Sequence, residues 1–314
     1  MKVVCLLVAF LLISREGFPQ ELPATFRSEI DVVALSIVVT DGKQNFVGGL
    51  TADNFAVFED GVRQDVSFFA AGEVPLDLAI LLDTSASMSD KIATVQQAAI
   101  GFASTLRERD RLTVVDIKDA TQVLSPLGGD HQAAKRAILS TVPSGGTALY
   151  NGLYLTLKEM TKARRSNDDV RRQAIVVLSD GDDTASLISF DDVMAVAKEA
   201  GISIYTITLK SKWATRHTAS SASKQFSQSG FAMKSLAQET GARSFFPTEI
   251  TELAGVYDLI AQELASQYAL GYMSKNPKRD GAFRRLIVRV TDPPGAQTRT
   301  RSGYLSARAQ RAAR

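Results

Sequence analysis

The sequence predicts an α/β protein with a mostly parallel central sheet covered by helices on both faces, plus a small β-sandwich-like domain assembled from its two flanks. Three observations carry this expectation. Between residues 76 and 267, short and almost wholly apolar strands alternate with longer segments of helical periodicity, the pattern of strands buried on both faces. At 28–71 and 268–306 the texture changes to shorter strands separated by turn signals such as Asp60-Gly61, Asn276-Pro277, Asp280-Gly281 and Pro293-Pro294-Gly295. Neither flank is expected to bury a core alone, because isolated hairpins are marginal in water. The two flanks are therefore expected to pack together, so that the chain enters and leaves the central domain on one side.

In chain order, residues 1–20 read as a signal peptide: Lys2 followed by an apolar run at 3–13, too short to span a membrane. No clear cleavage site follows. The β-branched run 32–40 ends at the turn Asp41-Gly42, and Thr51 is placed to cap a helical turn before Phe55. Phe55 and Val57 on one side of Asp60-Gly61, and Val62, Val66 and Phe68 on the other, read as one hairpin. "LDLAILLD" is a strand and "KIATVQQAAIGFASTL" a helix; "RLTVVDIK" is a strand and "TQVLSPL" its short antiparallel neighbour. "HQAAKRAILSTV" and "ALYNGLYLTLKEMTKA" are helices, His131 opening the first. Strand "QAIVVLSD" precedes a helix ended by Gly201; strand "ISIYTITL" is followed, after a Ser-rich basic excursion at 210–230, by a helix ended by Gly241. That excursion contains Trp213 and His217 and reads as a mobile surface loop. "ARSFFPT" is a last short strand, residues 252–268 a final helix, and "YALGYMS", "FRRLIVRVTD" and "TRTRSGYLS" return to strand patterning. The tail 307–314 has little to bury and reads as disordered.

Composition narrows the function. The chain has 314 residues, 45% hydrophobic and 22% charged, with a formal net charge of +2, so no global field points to nucleic acid or to a membrane surface. The basic C-terminal strands lack interleaved aromatics for base stacking and read as a solvated face. One cysteine, Cys5, and two histidines exclude an intrachain disulfide and a thiolate or multi-histidine zinc site.

In an open parallel sheet, functional groups gather at the carboxyl ends of strands. Asp83, Ser85 and Ser87 follow one such strand, Asp180 ends another, and Thr147 follows two glycines just before a helix. These three loops are expected to converge, with Asp83 as a surface-loop residue outside the core. Two carboxylates and three hydroxyls form an all-oxygen donor set, which suits Mg²⁺, with Mn²⁺ or Ca²⁺ as alternatives, and not zinc or copper. The two carboxylates neutralise a dication, and five protein oxygens leave an octahedral ion at least one open position. Asp182 and Asp183 read as solvated loop acids. Asp83 read alone also suits a helix cap.

The motif "DTSAS" at 83–87, Thr147 in "GGTAL" and Asp180 in "LSDGDD" resemble the metal-ion-dependent adhesion site of von Willebrand factor type A (VWA) domains. The resemblance covers residues 76–267, and the flanks are similar to VWA-related proteins numerous in Acidobacteria. It implies a Rossmann-like fold, Asp83, Ser85 and Ser87 as the D-x-S-x-S ligands, Thr147 and Asp180 as the two distant ligands, and no enzymatic activity. The expected function is an exported, periplasmic or secreted module that binds an Asp or Glu of a protein partner through the cation, without nucleic acid and without an integral membrane segment after signal cleavage. Two alternatives stand beside it. One is a structural envelope protein whose metal fastens loops. The other is a Mg²⁺-dependent hydrolase, against which Ser85 stands where haloacid-dehalogenase phosphatases carry their second acid, and no G-x-S-x-G or P-loop pattern occurs.

Overall fold

The structure, a computed structural model, describes residues 32–72, 74–166, 169–180, 183–209 and 228–307. The expected signal peptide, the excursion up to residue 227 with Trp213 and His217, Asp182, and all but the first residue of the tail lie outside the described residues.

The strands are β1 (Val32–Thr40), β2 (Phe55–Glu59), β3 (Val62–Gln64), β4 (Val66–Ala71), β5 (Leu76–Asp83), β6 (Arg111–Ile117), β7 (Thr121–Gly128), β8 (Arg172–Ser179), β9 (Ser203–Thr208), β10 (Ser244–Phe245), β11 (Tyr268–Met273), β12 (Phe283–Val290), β13 (Gln297–Arg299) and β14 (Gly303–Leu305). The helices are α1 (Ile92–Ala103), α2 (His131–Leu139), α3 (Leu149–Arg165), α4 (Phe190–Ala200), α5 (Gln228–Glu239) and α6 (Leu253–Ser266).

The central sheet has the order β10-β9-β8-β5-β6-β7, parallel except for the antiparallel edge strand β7. Every residue of β5 and β8 is buried. Alternate side chains feed opposite faces: Leu78, Ile80, Leu82, Val176 and Leu178 join one core with Phe102 and Tyr257. Ala79, Leu81, Ile175 and Val177 join another with Leu153, Leu157 and Val193. A strand covered on both faces has no reason to alternate, which is why these segments read as unbroken apolar runs. Gly201 and Gly241 end α4 and α5 in the left-handed conformation, with φ of 65° and 78°, as their positions in the sequence suggest.

The flanks form two four-stranded sheets, β13-β1-β11-β4 and β14-β12-β2-β3, each mixing strands from both ends of the described chain. Leu35, Ile37, Val57, Leu270, Leu286 and Val288 share the core between them. β12 alternates as a half-buried strand should, with Leu286 and Val288 inside and Ile287 and Arg289 outside. The Asp60-Gly61 turn has φ of 47° and 84° and joins β2 to β3. The expected hairpin is shorter than its apolar pattern, however. Val66 and Phe68 belong to β4, which leaves the hairpin and pairs with β11 in the other sheet. Gln64 is buried at the switch and accepts the Lys275 amide at 3.0 Å. Likewise "TRTRSGYLS" is two short strands, β13 and β14, in different sheets.

The chain enters and leaves the central sheet at the amino end of β5. Gly72 donates its amide to the Gln267 carbonyl at 3.2 Å. Arg172 reaches the carbonyls of Val74 and Leu264 at 3.2 and 2.5 Å. Asp83 lies at the opposite end of the same strand.

Candidate metal centre

Asp83 is the last residue of β5 and is 0% exposed. It is therefore no surface-loop side chain, as the sequence suggested, but a group the sheet end encloses. One carboxylate oxygen accepts the Ser179 hydroxyl at 2.6 Å, and the other accepts the Ser85 amide at 2.9 Å. Among the described residues no cation forms an ion pair with it. Burial raises its pKa above the usual carboxylate range, the hydrogen bonds from Ser179 and Ser85 oppose that shift, and the nearby charge of Asp180 adds to it.

From Asp83 a chain of polar contacts crosses the sheet end. The Ser85 and Ser87 hydroxyls lie 3.0 Å apart, and Ser87 donates to Asp180 Oδ1 at 2.9 Å. Asp180 follows β8 directly, is buried, and its Oδ2 accepts the Lys91 ammonium at 2.7 Å. Four of the five expected residues thus stand in one hydrogen-bonded series. Thr147 joins through its backbone: its amide donates to the Thr184 hydroxyl at 3.0 Å, and its carbonyl accepts the amides of Thr184 and Ala185 at 2.9 and 3.0 Å. The Thr147 loop is also tied to the first loop, Ser144 N to Thr84 O at 2.8 Å and Ala86 N to Gly145 O at 3.0 Å. Gly145 makes that approach possible. Its φ is +69°, and a Cβ there would sit 1.9 Å from Asp119 Oδ2.

Behind these loops lies a second polar layer. The Thr84 hydroxyl donates to Asp116, whose other oxygen pairs with Lys118 at 3.0 Å, and Asp119 accepts the Gly146 amide at 2.6 Å. Asp183 accepts the Ser186 amide at 3.2 Å, consistent with a loop role.

Lys91 is the residue that sequence reasoning missed, and it changes the charge count. Two carboxylates with one ammonium carry a single net negative charge, so the expectation that the acids alone balance a dication is corrected. A usable signal existed. Lys91 caps the N-terminus of α1, where a cation opposes the helix dipole and calls for a neighbouring anion. Ser179 was missed as well, because it is read most simply as the last residue of a strand.

The donor set fits a hard divalent cation. Among the described residues no three His, Cys, Asp or Glu side chains converge, and the oxygens of Asp83, Ser85, Ser87, Thr147 and Asp180 are the types such a cation prefers. Asp83 supplies the physical motive, a buried acid with no ion pair of its own among the described residues.

A family model of the von Willebrand factor type A domain matches residues 77–255. A 112-residue segment is 32% identical to an uncharacterized protein of Synechocystis sp., covering 35% of this chain and 26% of that protein, so the chain spans about a quarter of that relative's length. A UPF0353 protein of Mycolicibacterium paratuberculosis is 26% identical over 224 residues, 67% of this chain and 68% of that protein. Among solved structures, a von Willebrand factor type A protein from Catenulispora acidiphila aligns with a TM-score of 0.50 and 12% identity over 90% of this chain and 76% of that one, a likeness of fold.

Proposed function

The chain belongs to the von Willebrand factor type A domain family, and on that premise we propose that it is an exported, non-enzymatic module that binds an acidic residue of a protein partner through Mg²⁺, with Mn²⁺ or Ca²⁺ as substitutes. The observation that supports this reading is the buried Asp83 carboxylate, which has no ion pair among the described residues. Asp83, Ser85, Ser87, Thr147 and Asp180 would hold the cation, which when bound supplies an electrophilic position for an incoming carboxylate. The hydroxyls of Ser85, Ser87 and Thr147 contribute no charge, so the site keeps its appetite for an anion. Export rests on the apolar segment at 3–13.

A hydrolytic role finds no histidine base at the site among the described residues. His131 opens α2 and its ring nitrogen bonds the Asp110 carbonyl at 2.8 Å, just before β6 and at the other end of the sheet from Asp83. A purely loop-fastening metal is also disfavoured, since Thr147 to Thr184 and Gly145 to Ala86 already join the three loops by hydrogen bonds.

The partner is to be recovered by cross-linking in the cell envelope with and without EDTA, and its interface acids replaced one at a time by the matching amides. Loss of Mg²⁺-dependent binding at a single acid supports the reading. Binding that persists in EDTA, or survives every replacement, contradicts it.

A further inference from the structure

Lys91 is 9% exposed, and its ammonium sits 2.7 Å from Asp180 Oδ2. The other oxygen of the same carboxylate accepts Ser87. Both Asp180 oxygens are therefore engaged by the chain itself. The position is unusual for a lysine. It caps the amino end of α1 with a backbone in the helical region and no capping side-chain bond, so the helix dipole works against its charge. Burial works against it too. The ion pair with Asp180 offsets both costs.

We propose that Lys91 is a built-in competitor for the metal: its ammonium occupies Asp180 in the metal-free protein, leaves Asp180 when the site loads, and keeps the cation affinity below what the five oxygen ligands alone would give. The inference rests on the metal-site reading above. Its physical basis is the repulsion between a dication and an ammonium competing for one buried carboxylate, which acts over a few ångströms with little solvent screening. It also bears on partner choice. With the released ammonium off Asp180 but still beside the site, a dication, one ammonium and two carboxylates leave one positive charge, which a single carboxylate from a partner cancels. Lys91 thereby weakens the metal-only state and favours the state in which metal and acidic ligand are both present.

The rival role for Lys91 is to hold Asp180 in its ligating orientation, and it predicts the opposite sign. Full-length wild type, Lys91→Gln and Lys91→Arg are titrated calorimetrically with Mg²⁺ alone and Mn²⁺ alone. Gln keeps a hydrogen-bond donor and removes the charge; Arg keeps the charge. The expected result is a Kd about tenfold lower or more for Lys91→Gln and about unchanged for Lys91→Arg. Metal-free Lys91→Gln should melt below metal-free wild type, and saturating Mg²⁺ should close that gap. A Lys91→Gln Kd equal to or above that of wild type overturns the proposal while leaving the metal site standing. No saturable binding in wild type or variant overturns the metal-site reading and this inference together. A second readout needs no variant: the rate at which an amine-reactive reagent labels Lys91 in wild type, followed by mass spectrometry. It should rise several-fold on adding Mg²⁺, and an unchanged or lower rate contradicts release from Asp180.

Discussion

Strand β5 carries a buried carboxylate at each end, and the two are provided for in opposite ways. Asp77, 1% exposed, is gripped by two guanidiniums: Arg111 bonds both oxygens at 2.8 and 2.6 Å, and Arg171 bonds Oδ1 at 2.6 Å. Asp83, 0% exposed, receives one hydroxyl and one amide and forms no ion pair among the described residues. Burying a charge is costly unless it is paired. At the Asp77 end the fold supplies the cations itself and joins the central sheet to its flanks nearby, through Arg172, Gly72 and Gln267. At the Asp83 end it supplies a hydroxyl and an amide, and on the proposed reading the cation comes from outside. The first arrangement serves stability. The second, on that reading, gives up stability for a binding position.

The contrast can be broken at either end. The largest expected effect is at the structural end: Asp77→Asn leaves two guanidiniums short of a counter-ion and should cost about 3–5 kcal/mol in chemical denaturation, equally with and without Mg²⁺. At the other end, Asp83→Asn keeps the acceptor for Ser85 and should change metal-free stability by no more than about 1 kcal/mol. It should also abolish the Mg²⁺-dependent gain, about 2.7 kcal/mol for a site at a hundred times its Kd. Equal Mg²⁺ shifts in thermal melts of wild type and Asp83→Asn would remove Asp83 from the site. The smallest effect concerns the loop that brings Thr147 in. Gly145→Ala forces a side chain into the left-handed region against Asp119 and should cost about 1–2 kcal/mol, with weaker Mg²⁺ binding as the Gly145 to Ala86 contact opens. Unchanged Mg²⁺ affinity in that variant would separate the Thr147 loop from the metal.

Much of this was legible in the sequence, for identifiable reasons. "LDLAILLD" and "QAIVVLSD" announce strands buried on both faces, because such strands need no polar alternation. Asp83, Ser85, Ser87, Thr147 and Asp180 could be singled out because strand ends are read directly once strands are found. What stayed hidden depends on contacts between distant residues. Periodicity tells which face of Val66 and Phe68 is apolar but not which strand they pair with, so β4 looked like the arm of a hairpin. The interleaving of β2 with β12 and β1 with β11 leaves no local trace. Lys91 and Ser179 have roles only because the fold brings them to Asp180 and Asp83. The burial of Asp83 was misjudged because a strand-ending acid looks solvent-facing until the neighbouring loops close over it.

On the proposed reading the acid at the end of β5, which has no ion pair among the described residues, is one side of a cation site. Crystals of the protein grown with Mn²⁺ and measured for anomalous scattering test it most directly. A peak is expected at coordination distance, roughly 2.1 Å, from oxygens of some of Asp83, Ser85, Ser87, Thr147 and Asp180, with the Lys91 ammonium withdrawn from Asp180. A map at saturating Mn²⁺ with no peak there, and Lys91 still bonded to Asp180, would contradict it.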